Sequence, residues 1–324
     1  MGDYSDYMVR AAAADGRVRA FAATSRDLVE KSRQYHNTSP TISAALGRTL
    51  TGTVMMGAMM KGSDDRITVR IEGDGPAGRI LATADADGHV KGYCANPQVD
   101  LPPNSKGKLD VGGAVGKGTL TVIRDEGLKE PYSGQVNLVG GEIAEDLTYY
   151  FAVSEQVPSS VALGVLMNHN NTVREAGGFI VQLMPGALDS DIDAIETNLH
   201  DLLPVTTLLK QGNTPEDILN LVLKGLNPEF FGRMPISYCC DCSKERFARG
   251  IASIKKSDIQ EMIDAGEPIE TVCQFCGKKY YFTPDELRAM LAEREKSEQE
   301  KKEQKKSEPQ KSEPQKSESE PDEP

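Results

Sequence analysis

Ala, Leu and Met form an apolar face along SPTISAALGRTLTGTVMMGAMMKG, and this pattern predicts one long helix over residues 39–62. Ser39 is suited to cap its first turn, Pro40 fits the first helical position, and Gly62 is expected to end it. We interpret the group of methionines near its end as core residues, because Met fills irregular gaps. An adaptable surface that contacts other chains is the alternative interpretation of that group.

Alternating apolar and polar residues follow this helix and predict antiparallel strands. The segment RITVRIEGDGPAGRILATADADGHVKGYC alternates with breaks at GDGP and DADG, and GKGTLTVIRD with YSGQVNLVGG predicts a second hairpin. GDGPAG also matches the pattern G-x-G-x-x-G of dinucleotide-binding loops. That loop must open a helix, whereas Pro76 and a strand-like segment follow here, so a hairpin turn is predicted.

The next part of the chain combines a helix with two strands. EIAEDLTYYFAVSEQVPSSVALGVLM predicts a helix followed by a strand, and GGFIVQLMPGA predicts another strand. Because the strands pair locally and do not alternate regularly with helices, the pattern indicates the α+β class.

Residues 187–231 change to a helical pattern. The apolar residues expected on one helix face are Ile192, Ile195, Leu199, Leu202 and Leu203. A second helix is expected to begin at Thr214 as N-cap, with Asp217 as its capping-box partner, and to stop at Gly225. Amphipathic helices placed between two domains need a surface to lie on.

The chain therefore divides into four segments. We predict an N-terminal mixed α+β domain of antiparallel sheets with helices (1–185), a helical linker (186–234), a small cysteine-rich domain (235–291) and a disordered low-complexity tail (292–324). The tail repeats KSEPQ and has almost no apolar residues to bury. Short capped helices and the strand KKYYF are expected in the small domain, followed by a helix with Thr283 as N-cap and Glu286 as capping-box partner.

Composition and charge argue against several classes of function. The 324 residues carry a formal net charge of -12, which argues against DNA or RNA as the main partner, because phosphate binding needs a basic surface. The N-terminus does not resemble a signal peptide, and the sequence has no apolar run of about 18 residues that could span a membrane. We expect a cytoplasmic protein with reduced thiols. No catalytic motif stands out, so an enzyme is not expected.

Five of the six cysteines lie in YCCDCSKERF and VCQFCGKKYYF. Two such groups about thirty residues apart indicate a site in which four thiolates bind zinc. An iron–sulfur cluster and a thioredoxin-like dithiol are the alternatives, although the dithiol lacks its βαβ setting. Spacing leaves the first pair open, since Cys239 with Cys242 would form C-x-x-C and Cys240 with Cys242 the rarer C-x-C. Cys94 lies in a strand region and is expected to be a buried thiol.

CDCSKERF followed by VCQFCGKKYYF resembles the C-x-C…C-x-x-C redox switch of the heat-shock protein 33 family of redox-regulated holdase chaperones. SPTISAALGRTLTG, YSGQVNLVGGEIAEDLTYYFAVSEQVPS, GGFIVQLMPGA and NPEFFGR are also similar to that family, and the resemblance covers residues 1–290. It implies that one zinc ion binds Cys240, Cys242, Cys273 and Cys276 in the reduced form. It also implies disulfides Cys240–Cys242 and Cys273–Cys276 after oxidation. Cys239 departs from the family pattern, which leaves ligand exchange or an additional disulfide open.

The resemblance further implies a function. Oxidation would release zinc, unfold the small domain and the linker, and expose apolar surface that binds unfolding client proteins without ATP, commonly as a homodimer. No nucleic acid or membrane partner is expected. A constitutive zinc-ribbon adaptor that binds nucleic acid or a protein partner is the alternative, and a thiol oxidoreductase is a weaker one. Only the redox-switched chaperone should gain activity on oxidation.

Overall fold

The structure is a computed structural model that describes residues 6–307. The described chain forms two compact units. The first contains residues 6–241 together with Gln274–Gly277, and the second contains Cys242–Cys273 together with residues 278–307. Strands and helices occur in both, which confirms the predicted α+β class.

The elements of the first unit follow in chain order. They are β1 (Tyr7–Ala13), β2 (Val18–Thr24), α1 (Arg26–His36), α2 (Pro40–Gly57), β3 (Arg66–Gly73), β4 (Arg79–Asp85), β5 (His89–Cys94), α3 (Val111–Val115), β6 (Gly118–Asp125), β7 (Tyr132–Asn137), α4 (Ala144–Val153), β8 (Ser159–Met167), β9 (Val173–Leu183), α5 (Asp189–His200), α6 (Val205–Lys210), α7 (Pro215–Val222), β10 (Glu229–Pro235) and β11 (Ser237–Tyr238).

Two sheets form the frame of this unit. One has five strands in the order β10-β1-β2-β9-β8, and the other has six in the order β11-β5-β4-β3-β6-β7. All pairs are antiparallel except β11 with β5, which is parallel. Strands β1 and β2 and helix α1 were not predicted. Helix α2 contacts β4 and β5 of the six-stranded sheet and β8 and β9 of the five-stranded sheet, so it forms the centre of the main core.

Helix α2 begins as predicted, because the Ser39 side chain accepts a hydrogen bond from the Ile42 N–H. The prediction that Gly62 ends the helix is wrong. The helix stops at Gly57, and the Ala58 N–H closes the last turn on the carbonyls of Val54 and Met56. The Gly62 N–H instead donates to the Asp65 carboxylate at 2.8 Å in the turn that precedes β3. The methionines are core residues as expected: Met55 and Met56 are buried, and Met59 and Met60 pack against the core while partly exposed.

The segment GDGPAG forms the predicted turn between β3 and β4. Its first glycine is required by close backbone approach rather than by a phosphate group. A Cβ at Gly73 would lie 1.9 Å from the carbonyl oxygen of Val115. The predicted hairpin of β6 and β7 and the helix–strand pair of α4 and β8 are also present.

Helices α5, α6 and α7 bury their apolar faces on a second core at the five-stranded sheet. Its members include Val9, Ala11, Val18, Ala20, Phe179, Val181, Ile195, Val205, Leu208, Ile218, Leu219 and Val222. Neighbouring residues of the same strands, such as Met8 and Phe21, belong to the main core, as expected for side chains that alternate along a strand. The amphipathic helices predicted between residues 187 and 231 therefore lie on this sheet. The capping box of Thr214 and Asp217 is present, whereas Leu203 is exposed.

The segment 186–234 is not helical throughout, since it ends in strand β10, which pairs with β1 at the edge of the five-stranded sheet. This strand was not predicted, because both faces of β10 are largely exposed and its residues carry no alternating pattern. Strand β10 leads through Ile236 directly into β11 and the first cysteine group.

The second unit contains α8 (Lys244–Ser253), α9 (Lys256–Asp264), β12 (Ile269–Val272), β13 (Lys279–Phe282) and α10 (Pro284–Ser307). Among its described residues, the buried apolar core contains Ile251, Ile259, Ile263, Tyr280, Phe282 and Leu287. Thr283 and Glu286 form the predicted capping box. Helix α10 continues past residue 292, where the low-complexity segment begins, and residues 308–324 of the predicted tail lie outside the described residues.

Within residues 6–307, no helix is both long and apolar enough to cross a bilayer.

Candidate metal centre

Four cysteines from the two sequence groups come together. The Sγ atoms of Cys240, Cys242, Cys273 and Cys276 all lie within 4.8 Å of one another. Four sulfurs at ~2.3 Å from a tetrahedral zinc ion would be about 3.8 Å apart, so a small adjustment of side chains accommodates the ion. Four thiolates are the donor set of structural zinc sites. The cluster is therefore consistent with one zinc ion.

The local chain geometry explains how the second pair is presented. Cys273 directly follows β12, and its N–H donates to the Lys278 carbonyl at 2.9 Å, which closes the turn into β13. Gly277 occupies the left-handed region with φ of +72°, a conformation that a side chain would strain. This is the tight turn that the glycine of CQFCG predicts.

The first pair lies on the extended chain between β11 and α8. Ser243 caps α8 by accepting a hydrogen bond from the Arg246 N–H, so the helix begins immediately after Cys242. The Tyr280 hydroxyl lies 2.9 Å from the Cys242 carbonyl oxygen and 3.1 Å from its Sγ. A hydroxyl donor stabilises a thiolate, and sequence reasoning missed this contribution of Tyr280 because the KYYF strand gave no sign of which tyrosine faces the sulfur.

Cys239 is not part of the cluster. Its side chain is exposed, and its N–H donates to the Val90 carbonyl at 2.9 Å, which extends the pairing of β11 with β5. Cys94 is a buried thiol as expected, with Sγ 3.2 Å from the Ala77 carbonyl oxygen. Burial raises the pKa of Cys94 to about 11, so this thiol stays protonated and unreactive.

Within the first unit, the turn Gln274–Gly277 is attached to strand β5. The Phe275 ring meets Tyr93 edge-on with a centroid separation of 5.5 Å, and Lys91 Nζ lies 5.3 Å from the Phe275 centroid. The Tyr238 hydroxyl donates to the Phe275 carbonyl or to the Gly92 carbonyl, 2.8 Å away in the latter case. Tyr238, which precedes the first cysteine pair, and Phe275, which lies within the second pair, therefore both contact strand β5.

Two further residues complete this attachment. Lys91 forms an ion pair with Asp241, the residue between the first two cysteines of the cluster. His36 Nε2 lies 3.0 Å from the Gly92 carbonyl oxygen, and burial lowers the pKa of His36. None of these contacts was anticipated from the sequence, since they join residues that are far apart in the chain.

Comparison with known proteins agrees with this geometry. The family described as Hsp33 protein matches residues 6–283. The 33 kDa chaperonin of Lachnoclostridium phytofermentans is 54% identical over 287 residues, which cover 89% of this chain and 98% of that protein. The 33 kDa chaperonin of Bacillus subtilis is 52% identical over 286 residues, covering 88% and 98%.

A solved structure is also similar. The crystal structure of the 33 kDa chaperonin (heat shock protein 33 homolog) from Thermotoga maritima superimposes with a TM-score of 0.81 at 37% sequence identity. The match covers 90% of this chain and 99% of that one. With the family match, the curated relatives and the four-cysteine cluster in agreement, this chain belongs to the Hsp33 family.

Proposed function

We propose that this protein is an ATP-independent holdase chaperone whose activity is switched by oxidation of the four-cysteine cluster. The reduced, zinc-bound form is inactive. Oxidation forms disulfides and releases zinc, and the resulting unfolding exposes apolar surface that holds unfolding proteins in solution. The observation that carries this proposal is the convergence of four thiols, two of which belong to the second unit, whose described residues form a small buried apolar core.

We assign Cys240, Cys242, Cys273 and Cys276 as the metal ligands. Bound zinc would cross-link these four sulfurs, keep them as thiolates and contribute roughly 10–16 kcal/mol, the range of structural zinc sites in small peptides. A small core rarely supplies more than about 3–5 kcal/mol by itself. The fold of the second unit therefore depends on the metal, while the much larger core of the first unit does not.

Oxidation acts on the sulfurs. A thiolate attacks one oxygen of hydrogen peroxide to give a sulfenic acid and hydroxide, and a neighbouring thiol then attacks that sulfur to form a disulfide and water. Each disulfide consumes one peroxide, which takes up the two electrons that the two sulfurs lose. We propose the pairs Cys240–Cys242 and Cys273–Cys276, whose short loops restrain the chain little and do not replace the metal.

The change reaches the linker through the chain itself. Cys240 lies two residues after β11, which follows β10, and Phe275 lies between the other two ligands. When the cluster opens, it no longer stabilises the contacts that Tyr238 and Phe275 make with each other and with strand β5. We propose that segment 186–234 then detaches and exposes the apolar faces of α5–α7 and of the five-stranded sheet, which become the client-binding surface.

The direct test compares light scattering of a heat-unfolding client protein in the presence of the reduced, zinc-loaded form or the peroxide-oxidised form. We expect near-complete suppression of aggregation at about stoichiometric amounts of the oxidised form, no suppression by the reduced form, and no effect of ATP. Equal behaviour of both forms would contradict the switch and favour a constitutive zinc-ribbon adaptor. Sedimentation of the same samples tests the homodimer that we propose for the oxidised form.

Cys239 provides a test of the disulfide assignment. Because its side chain lies outside the cluster, we expect peptide mapping of the oxidised protein to find Cys240–Cys242 and Cys273–Cys276, with Cys239 free and alkylated. The Cys239→Ser variant should show the same two disulfides. A disulfide to Cys239 in the wild type would overturn the assigned pairing, and the variant would then show how the remaining thiols rearrange.

We place the protein in a reducing compartment, the cytoplasm, because the inactive form requires reduced thiols. Its partners are unfolding client proteins and a second copy of itself.

A further inference from the structure

A cavity of about 360 Å³ lies in the first unit, at the end of α2 and beside β2, β6 and β9. It is remote in sequence from the cysteines. Its lining includes three cationic residues, Arg19, Lys61 and Arg124, and three carboxylates, Asp65, Glu126 and Glu155. The remaining wall is mainly apolar and contains Met56, Met59 and Met60.

Arg19 is held in place by a neutral partner. Its Nε and Nη2 both donate to Oε1 of Gln182, at 3.2 and 2.6 Å. Gln182 is only 1% exposed, and its amide nitrogen donates to the Ser159 hydroxyl at 3.1 Å, which fixes the oxygen towards Arg19. Within residues 6–307, no ion pair joins Arg19 to a carboxylate. The guanidinium is therefore oriented by a buried amide and lies 5.7 Å from the centroid of the Phe21 ring, while no carboxylate among the described residues neutralises its charge.

Glu155, one of the three carboxylates in the lining, already has partners. It forms an ion pair with Arg124 and also accepts a hydrogen bond from the Tyr150 hydroxyl. Burial lowers the pKa of Arg19, and the charges of Arg10 and Arg124 add to this effect. An anion next to Arg19 would neutralise a half-buried charge that, among the described residues, has a neutral amide and an aromatic ring as partners but no carboxylate.

The opposite wall is suited to an apolar group. Met56 is buried, Met59 and Met60 are partly exposed, and Phe151 and Val157 continue the surface. Methionine side chains adapt to ligands of different shapes, because they are unbranched and polarizable. The cavity thus combines a preoriented guanidinium, whose Nη1 is not used in the hydrogen bonds to Gln182, with an adaptable apolar wall, which is the usual composition of a small-molecule site.

We propose that this cavity binds a small organic carboxylate, with the carboxylate on the guanidinium of Arg19 and a branched apolar body against Met56, Met59 and Met60. Planar guanidinium and carboxylate groups match in a bidentate geometry, which gives this pairing its specificity. The site is independent of the redox switch and is present in the reduced, zinc-bound protein. Such a carboxylate could come from a free acid or from the C-terminus of a peptide chain.

The test uses the full-length reduced protein with ¹³C-labelled methionine methyl groups, titrated with three probes. The probes are 4-methylpentanoate, N-acetylglycyl-leucine and the amide of that dipeptide. We expect saturable shifts of the Met59 and Met60 methyl signals with at least one carboxylate and none with the amide. Tighter binding of the free acid points to a small metabolite, and tighter binding of the dipeptide points to a chain terminus.

Variants of Arg19 test whether the probes bind at Arg19 in this cavity. Arg19→Met should weaken binding by about tenfold or more through loss of the charged bidentate partner, and Arg19→Lys by less. Arg174→Met is the matched control, because Arg174 is an exposed residue of β9 in the same sheet and lies outside the cavity lining, and it should bind as the wild type does. Absence of saturable shifts, equal binding of the amide, or wild-type binding by Arg19→Met overturns the proposal. If Arg19→Met does not fold, Arg19→Lys and the amide probe still decide.

Discussion

The Cys273→Ser variant is expected to lose its zinc and, with it, the fold of the second unit. Cys273 is the most buried cysteine of the cluster, and a serine hydroxyl is a poor replacement for a thiolate ligand. The lost binding energy, roughly 10–16 kcal/mol for structural zinc sites, is as large as or larger than the total stability of about 5–15 kcal/mol of a typical domain. Zinc content, measured by atomic absorption, should fall from one ion per chain to near zero.

Circular dichroism and limited proteolysis should show loss of α8 and α9 and cleavage within residues 242–273. Cys239→Ser is the matched control, because it removes a neighbouring thiol that lies outside the cluster. It should retain zinc and resist the protease. Metal loss in Cys239→Ser with retention in a Cys240→Ser variant would reassign the first ligand pair to the C-x-x-C spacing.

The Leu219→Ser variant is expected to suppress client aggregation without any oxidant. Leu219 lies on α7, is 0% exposed and packs in the core shared by the linker helices and the five-stranded sheet. Truncating a buried Leu costs about 2–5 kcal/mol, and an unpaired buried hydroxyl adds roughly 1–3 kcal/mol. That is enough to detach α7 while the main core around α2 stays folded. Light scattering under reducing conditions measures the gain of activity.

Leu221→Ser is the matched control, since Leu221 is on the same helix and 41% exposed. It should remain inactive until it is oxidised. Zinc content of Leu219→Ser should stay at one ion per chain, which separates release of the linker from loss of the metal. An inactive, folded Leu219→Ser would mean that the surface under the linker does not bind clients, and would shift the binding site elsewhere.

Several elements could be predicted from local sequence alone. Strong alternation identified β3 to β7, and capping residues placed the starts of α2, α7 and α10. The first two strands were missed because MVRAAAADGRVRAFAAT is rich in Ala, a residue without strand preference. These strands form because their small side chains are buried on both faces between two cores. Tertiary packing, not local propensity, decides that segment.

The α+β class, a thiolate metal site and, through resemblance, the family could all be inferred from the sequence. Spacing did not decide between Cys239 and Cys240. In the structure the pairing of β11 with β5 continues to the Cys239 N–H on the Val90 carbonyl, and the cluster contains Cys240 and not Cys239, which supports the ligand assignment that we propose. Successive side chains of an extended chain point in opposite directions, so a strand that directs Cys239 outward directs Cys240 to the cluster. Likewise, only folding places Phe275 on Tyr93 and Arg19 on Gln182, because those contacts join residues that no local pattern relates.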